Sequence, residues 1–264
     1  MQNTTFTDQM NRQVLISYLP KRIISLVPSQ TELLCDLGLA DEVVGITKFC
    51  IHPAEQFKSK SKVGGTKKVN VDLIRDLKPD LIIGNKEENS QDQMEELMDE
   101  FPVWMSDIKD LDDALEMISG IGQITGKEEK ASNLASKIKE DFANLQTENR
   151  RVKHSILYLI WKDPYMVAGR GTFINDILER AGWRNAVHSS RYPELRIEEI
   201  QGLAPDRIFL SSEPYPFKEK HIAEFQSLCP DAIVEIVDGE MFSWYGSRLL
   251  QVTAYLKTIT AMRG

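Results

Sequence analysis

Val71-Asp72-Leu73-Ile74-Arg75-Asp76-Leu77-Lys78-Pro79-Asp80-Leu81-Ile82 returns, 126 positions on (71 to 197), as Ile197-Glu198-Glu199-Ile200-Gln201-Gly202-Leu203-Ala204-Pro205-Asp206-Arg207-Ile208. In both copies an acidic residue opens an apolar helical face, Leu-x-Pro-Asp follows, and an apolar run comes next. Proline lacks the amide hydrogen that a helix interior needs, so the helix stops there and the apolar run reads as a buried strand. Two copies of one helix–strand unit predict two similar lobes. Two α/β lobes facing each other leave a cleft, the usual place for a small ligand.

Outward from the first copy, strands and helices alternate, which predicts a parallel, layered sheet. Strands are expected at residues 22–27, 43–47, 81–84 and 103–106. A helix is expected from Pro28-Ser29 to Leu37, closed by Gly38, with Ser29 and Glu32 as a capping box. A polar helix is expected at 90–100 and a turn at Gly64-Gly65. Outward from the second copy, strands are expected at 155–160, 165–168 and 232–237, with helices at 172–181 and 246–262.

Between the copies, Thr125 and Glu128 read as a further capping box. Ala131, Leu134, Ala135, Ile138, Phe142 and Leu145 then recur at three- and four-residue spacing. A helix over 127–150 would run roughly 36 Å at 1.5 Å per residue. The predicted organisation is an N-terminal lobe (1–125), a backbone helix (126–151) and a C-terminal lobe (152–264). The fold class is α/β: two similar lobes with central parallel sheets, joined by one long helix, with a ligand cleft between the lobes. One helix in place of a Gly/Ser hinge predicts small opening angles.

Composition narrows the function. The chain has 264 residues and a net charge of -8, with pI near 5.2, which argues against nucleic acid as a partner. Cys35, Cys50 and Cys229 are odd in number and scattered, as reduced thiols rather than a disulfide framework. No run of about 18 apolar residues offers a membrane span. No basic segment followed by an apolar stretch opens the chain, so as written it is expected in the cytoplasm, and in the periplasm if a native leader has been removed. GxSxG, HExxH, P-loop and GxGxxG motifs do not occur, so no enzyme is expected. No cofactor is required, and a monomer is expected.

The order Arg22-Ile23-Ile24-Ser25-Leu26-Val27-Pro28-Ser29-Gln30-Thr31-Glu32, then Leu77-Lys78-Pro79-Asp80-Leu81-Ile82, a long helix, and residues 169–185 resembles the helical-backbone periplasmic binding proteins. These take vitamin B12, iron–siderophore or haem ligands, and the vitamin B12-binding type of ABC importers is the most similar in pattern. The resemblance spans roughly residues 20–260. It implies a non-catalytic binding protein for a metal chelate, with cobalamin or another corrinoid first and haem or an iron–siderophore next. It also implies docking to an ABC permease through Asp72 and Glu198, the acidic residues related by the 126-residue offset. Without a partner, these two carboxylates would simply stabilise their helix N-termini. Aromatic positions of the vitamin B12 type appear here as Thr66 and Asn85 in the first lobe and Tyr192 in the second, so the aromatic cradle is only partly present. The alternative reading is a cytoplasmic enzyme or sensor on the same scaffold.

Ligands of open α/β sheets sit beyond the carboxyl ends of the strands, which nominates the loops that follow them. Aromatic candidates there are Phe49, Trp161, Tyr165, Tyr192, Trp244 and Tyr245, with Tyr215 and Phe217 beside them. A cluster drawn from several loops suits a large flat ligand, while any single ring also reads as a loop anchor. Charged candidates are Lys48, Lys86, Glu87, Arg191 and Arg248. For Lys67-Lys68 a solvated surface is the expected reading. His52, two residues after Cys50 on an extended loop, is a candidate ligand to a corrinoid cobalt or haem iron, and otherwise a loop-fixing hydrogen bonder.

Overall fold

The computed structural model describes residues 3–148 and 154–261. The chain divides into two compact units: Met1–Ile108, Asp112–Ile138 and Tyr245–Arg248 form the first, and Lys109–Leu111, Lys139–Trp244 and Leu249–Gly264 the second.

The first unit opens with an antiparallel hairpin, β1 (Asn3–Thr7) and β2 (Gln13–Ser17). Then come β3 (Ile23–Ser25), α1 (Pro28–Asp36), β4 (Val43–Ile46), α2 (Ala54–Ser59), β5 (Ser61–Lys62), α3 (Val71–Leu77), β6 (Leu81–Asn85), α4 (Gln91–Met98) and β7 (Val103–Ser106). Helix α5 (Leu111–Thr125) and the first half of α6 (Glu128–Glu148) complete it. Its sheet is parallel throughout, in the order β5-β4-β3-β6-β7. Every residue of β6 is buried, as a strand covered on both faces requires. Ile24, Ile74, Ile82, Met94, Leu97 and Met105 share one core cluster there. The outer edge of β7 is closed by the hairpin turn: Gln9 donates its amide to the Met105 carbonyl at 3.2 Å, and the Asp8 carboxylate accepts the Met105 amide at 3.3 Å. An edge so covered cannot template another strand.

The second unit holds β8 (Ser155–Trp161), β9 (Tyr165–Val167), α7 (Phe173–Arg180), β10 (Arg184–Asn185), β11 (Glu194–Leu195), α8 (Ile197–Leu203), β12 (Arg207–Ser211), α9 (Glu219–Leu228), β13 (Ile233–Val237), α10 (Glu240–Ser243) and α11 (Leu249–Ala261). Its sheet runs β11-β9-β8-β12-β13, with β10 beside the start of β8. β8, β10, β12 and β13 are parallel, whereas β9 runs against them, pairing antiparallel with β8 on one side and with β11 on the other. The expectation of a purely parallel sheet therefore holds in the first unit and is corrected in the second. The link between β8 and β9 is too short for the crossover a parallel pair needs.

The repeat recurs in backbone and hydrogen bonds. α3 and α8 each end on a residue in the left-handed region, Lys78 at φ 47° and Ala204 at φ 42°, immediately before Pro79 and Pro205. The aspartate that follows anchors the first central strand of its sheet. Asp80 accepts the amides of Lys21 at 2.7 Å and Arg22 at 2.8 Å, just ahead of β3. Asp206 accepts the amide of Ser155 at 2.6 Å, at the start of β8. The repeated Pro-Asp thus stops a helix and sets the register of the next strand against its neighbour.

Three expected helix starts are corrected. Pro28 takes the first helical position of α1, so Val27 is the N-cap and Ser29 lies buried inside the helix. Thr125 ends α5, its hydroxyl donating to the Ile121 carbonyl at 2.6 Å, and α6 begins at Glu128 after Gly126 at φ 68°. The expected backbone helix over 127–150 is observed as Glu128–Glu148, and residues 149–150 lie outside the described residues. The closing helix begins at Leu249 rather than 246, because residues 245–248 belong to the first unit. There Gly246 lies so close to α1 that a Cβ would stand 2.9 Å from the Ser29 carbonyl oxygen. Arg248 grips Glu32 with two hydrogen bonds, Nε to Oε2 at 2.9 Å and Nη2 to Oε1 at 2.7 Å, both side chains largely buried.

Two stability outcomes follow. Asp80→Ala leaves two amides without their acceptor and should cost about 1–2 kcal/mol, more than Asp206→Ala, which frees one; urea midpoints in the reverse order would refute the anchoring role. Arg248→Ala strands a buried carboxylate and should cost about 3–5 kcal/mol, whereas the double change Glu32→Leu/Arg248→Met should recover most of it.

Candidate functional site

Three loops leave the carboxyl end of the first unit's sheet. In the first, Cys50 is fully buried, its sulfur 3.1 Å from the hydroxyls of both Thr31 and Thr47. Burial pushes this thiol above its ordinary range. With residue 50 turned inward, its neighbours turn outward, and Phe49 and Ile51 are 50% and 45% exposed. The Lys48 amine lies 5.0 Å from the Phe49 ring centre. His52 is half-buried.

The second loop depends on two glycines. Gly64 adopts φ 114° and accepts the Lys48 amide at 2.8 Å, and a Cβ there would stand 2.6 Å from the Lys68 carbonyl oxygen. A Cβ on Gly65 would press to 3.2 Å on the Phe49 ring. Side chains at either place would disrupt the turn or displace the ring.

The third loop is organised by two asparagines. Asn85 is buried: its carbonyl accepts the amides of Glu87 at 2.8 Å and Glu88 at 3.1 Å, and its Nδ2 donates to Ser106 at 3.0 Å. Asn89 accepts the Asn85 amide and donates to the carbonyls of Leu26 and Thr66 at 3.2 and 3.1 Å. Lys86 is exposed, 2.8 Å from Asp107. Glu87 and Glu88 are half-buried, and burial pushes the Glu88 carboxyl up while the Lys67 charge opposes the shift.

Between the first two loops opens a pocket of about 770 Å³, walled by Lys48, Phe49 and residues 64–70. It unites three side chains singled out from sequence, Lys48, Phe49 and Thr66. Lys67 and Lys68, expected to be solvated surface, are on its rim, as are Val69 and Asn70, which sequence reasoning missed. The glycine pair ahead of them is the signal that could have pointed there.

In the second unit Trp161 is 40% exposed at the end of β8, set edge-on to Tyr215 at 5.5 Å. Tyr215 leans on Phe217, which is buried in the core with Phe225, so these rings hold Trp161 from beneath. Tyr165 donates its hydroxyl to Glu224 at 2.8 Å, and burial together with that carboxylate pushes it up to about 12. Arg191 is exposed at φ 65°, its Nη1 donating to the Gly171 carbonyl at 3.2 Å, with its guanidinium 5.7 Å from the half-buried Tyr192 ring.

Several nominated side chains are occupied inside the protein. The Asn85 amide shapes its own loop, and Tyr165 and Arg248 are tied to Glu224 and Glu32. Trp244 is 6% exposed and donates its indole N–H to Glu213 at 2.9 Å, beside the Ser243 hydroxyl at 3.0 Å. Tyr245 is buried in the segment that joins the first unit. A buried amide, indole or guanidinium must find a partner, and these found theirs within the chain. Asp72 and Glu198 occupy equivalent exposed positions in the first turns of α3 and α8, Asp72 lying 3.0 Å from Arg75. Among the described residues no three His, Cys, Asp or Glu side chains gather to hold a metal ion, and no helix is long and apolar enough to cross a membrane.

Comparison with known proteins fits this geometry. The chain is 32% identical over 214 residues to an uncharacterized ABC transporter substrate-binding lipoprotein, YvrC, of Bacillus subtilis, covering 77% of this chain and 68% of that one. It is 25% identical over 241 residues to the vitamin B12-binding protein of Pectobacterium carotovorum, covering 88% and 85%. In fold it is similar to the petrobactin-binding protein YclQ of Bacillus subtilis, with a TM-score of 0.82 over 98% of each chain at 19% identity. The sequence profile of the periplasmic binding protein family matches residues 23–235, and the chain belongs to that family.

Proposed function

We propose that this chain is the substrate-binding component of an ABC importer, taking a metal chelate of the corrinoid, haem or iron–siderophore class without transforming it. The observation that carries the reading is the roughly 770 Å³ pocket beyond the carboxyl ends of β4 and β5, with the half-exposed ring of Phe49 in its wall. An exposed aromatic ring held by a glycine turn offers a flat face for a flat ligand. Lys48, Phe49 and Thr66 are the proposed contacts in the first unit, and Trp161, Arg191 and Tyr192 in the second. Lys86 and Glu87 flank them, and His52 is retained as a candidate axial ligand. Asn85, Tyr165, Trp244, Tyr245 and Arg248 act in this reading as the framework that positions the contacts. The description of the matched family, periplasmic binding protein, supports a place in the periplasm.

Docking is the second half of the reading. Asp72 and Glu198, one on each unit and equivalent under the repeat, are proposed to meet cationic groups of a permease. Their exposure supports this. In a pull-down with permease, Asp72→Ala/Glu198→Ala should lose the partner while keeping ligand affinity. Retained capture would assign these carboxylates to their helix termini alone.

Ligand addition should quench the emission of Trp161, and Trp161→Phe should remove most of that quench. Phe49→Ala should weaken binding by about 1–3 kcal/mol, the range of one aromatic face. Native mass spectrometry of the purified protein supplies the mass of any ligand carried along, and titrations in which neither substitution changes affinity or signal would remove both rings from the site.

A further inference from the structure

The sign of charge around the pocket is opposite to that of the chain. The protein carries 40 acidic and 32 basic side chains, a net charge of -8. The pocket wall nevertheless holds three lysines, Lys48, Lys67 and Lys68, and no carboxylate. Several lysines elsewhere are neutralised in place, as in Lys21–Glu42, Lys86–Asp107 and Lys162–Glu224, although others, such as Lys62, meet only carbonyl oxygens. None of the three pocket lysines pairs directly with a carboxylate among the described residues: Lys48 sits against the Phe49 ring, and Lys67 reaches the Glu87 carbonyl oxygen while its charge also acts on the Glu88 carboxyl. Glu87 and Glu88, on the next loop, do not line the pocket.

Uncompensated charge of one sign in a concave surface focuses its field there and draws in the opposite charge. The apolar part of the same wall is Phe49, Val69 and the glycine turn. A ligand complementary to both has an apolar or aromatic body with negative groups at its edge. Lysine acts as a flexible point charge with no fixed fork, so it selects for charge more than for exact shape.

We infer that the ligand of this pocket is an anionic chelate, carrying at least two carboxylate, catecholate or similar negative groups that Lys48, Lys67 and Lys68 receive around the ring of Phe49. This rests on the binding-protein reading above and sharpens it. Haem with its two propionates and a ferric tris-catecholate have this chemistry. A corrinoid with no net charge, presenting mostly neutral amides, does not use the lysines.

The test titrates the full chain with three probes, hemin, a ferric tris-catecholate and cyanocobalamin. Each is repeated on Lys48→Gln/Lys67→Gln/Lys68→Gln and on a charge-matched control, Lys139→Gln/Lys218→Gln/Lys220→Gln. At least one anionic probe should bind the parent protein more tightly than cyanocobalamin, and should lose about tenfold or more on the pocket variant while the control stays near the parent value. That loss should shrink as ionic strength rises from about 0.01 M to about 1 M and the screening length falls from roughly 30 to roughly 3 Å. Tight cyanocobalamin binding unaffected by the pocket variant would overturn the anionic ligand and leave the binding-protein reading standing. Equal losses on pocket variant and control would reduce the lysines to long-range charge and overturn it too. Binding by none of the probes would remove both readings.

Discussion

The carboxylate of Asp80, holding the amides of Lys21 and Arg22, decides where β3 begins, and Asp206 does the same for β8 through Ser155. Strand register is a discrete choice, since a slip of one residue sends every side chain to the wrong face. By pinning the residue ahead of each central strand to the residue ahead of its neighbour, the aspartates align Ile24 with Ile82 and Leu157 with Ile208. The carboxyl ends of the parallel strands then fall at a common level within each sheet. Loops that leave a sheet at one level can meet, and those of the first unit do.

What those loops present is set by which of their side chains turn inward. The hydroxyls of Thr31 and Thr47 take the Cys50 sulfur, and the turn closed by the Cys50 amide on the Thr47 carbonyl leaves Phe49 and Ile51 outside. Asn89 bridges the third loop to the second through the Thr66 carbonyl, so Thr66 and the lysines after it are held against a fixed backbone. These loops are therefore held in place by the buried groups Thr31, Thr47 and Asn89.

The sequence displayed those features that rest on local chemistry. α3 was readable to its end because apolar periodicity and a proline stop coincide within nine positions, Val71 to Pro79. The opening hairpin was not, because threonines carry its alternation and threonine reads as polar in either direction. The capping box at Ser29 failed because Pro28 already holds the first helical position, and the Glu32 carboxylate pairs instead with Arg248, 216 residues away. The same limit applies to the site. Lys48, Phe49 and Thr66 were legible because they follow strands or a glycine turn. The inward turn of Asn85 and Trp244 was not, since their partners Ser106 and Glu213 lie 21 and 31 positions off. Lys67 and Lys68 looked like ordinary surface because a charge run has no local sign of the cavity beside it.

The segment Tyr245–Arg248 makes neither unit a continuous piece of chain. During synthesis the N-terminal unit emerges first, and domains generally fold as they emerge. Here α1 must wait with Glu32 uncompensated until Arg248, sixteen residues from the end, has been made. The first unit thus has no finished form before the second has been translated. A fragment cut after α6 would lack the arginine that pairs with Glu32. Each unit is compact, but the first depends on a segment, Tyr245–Arg248, that comes after most of the second unit in sequence.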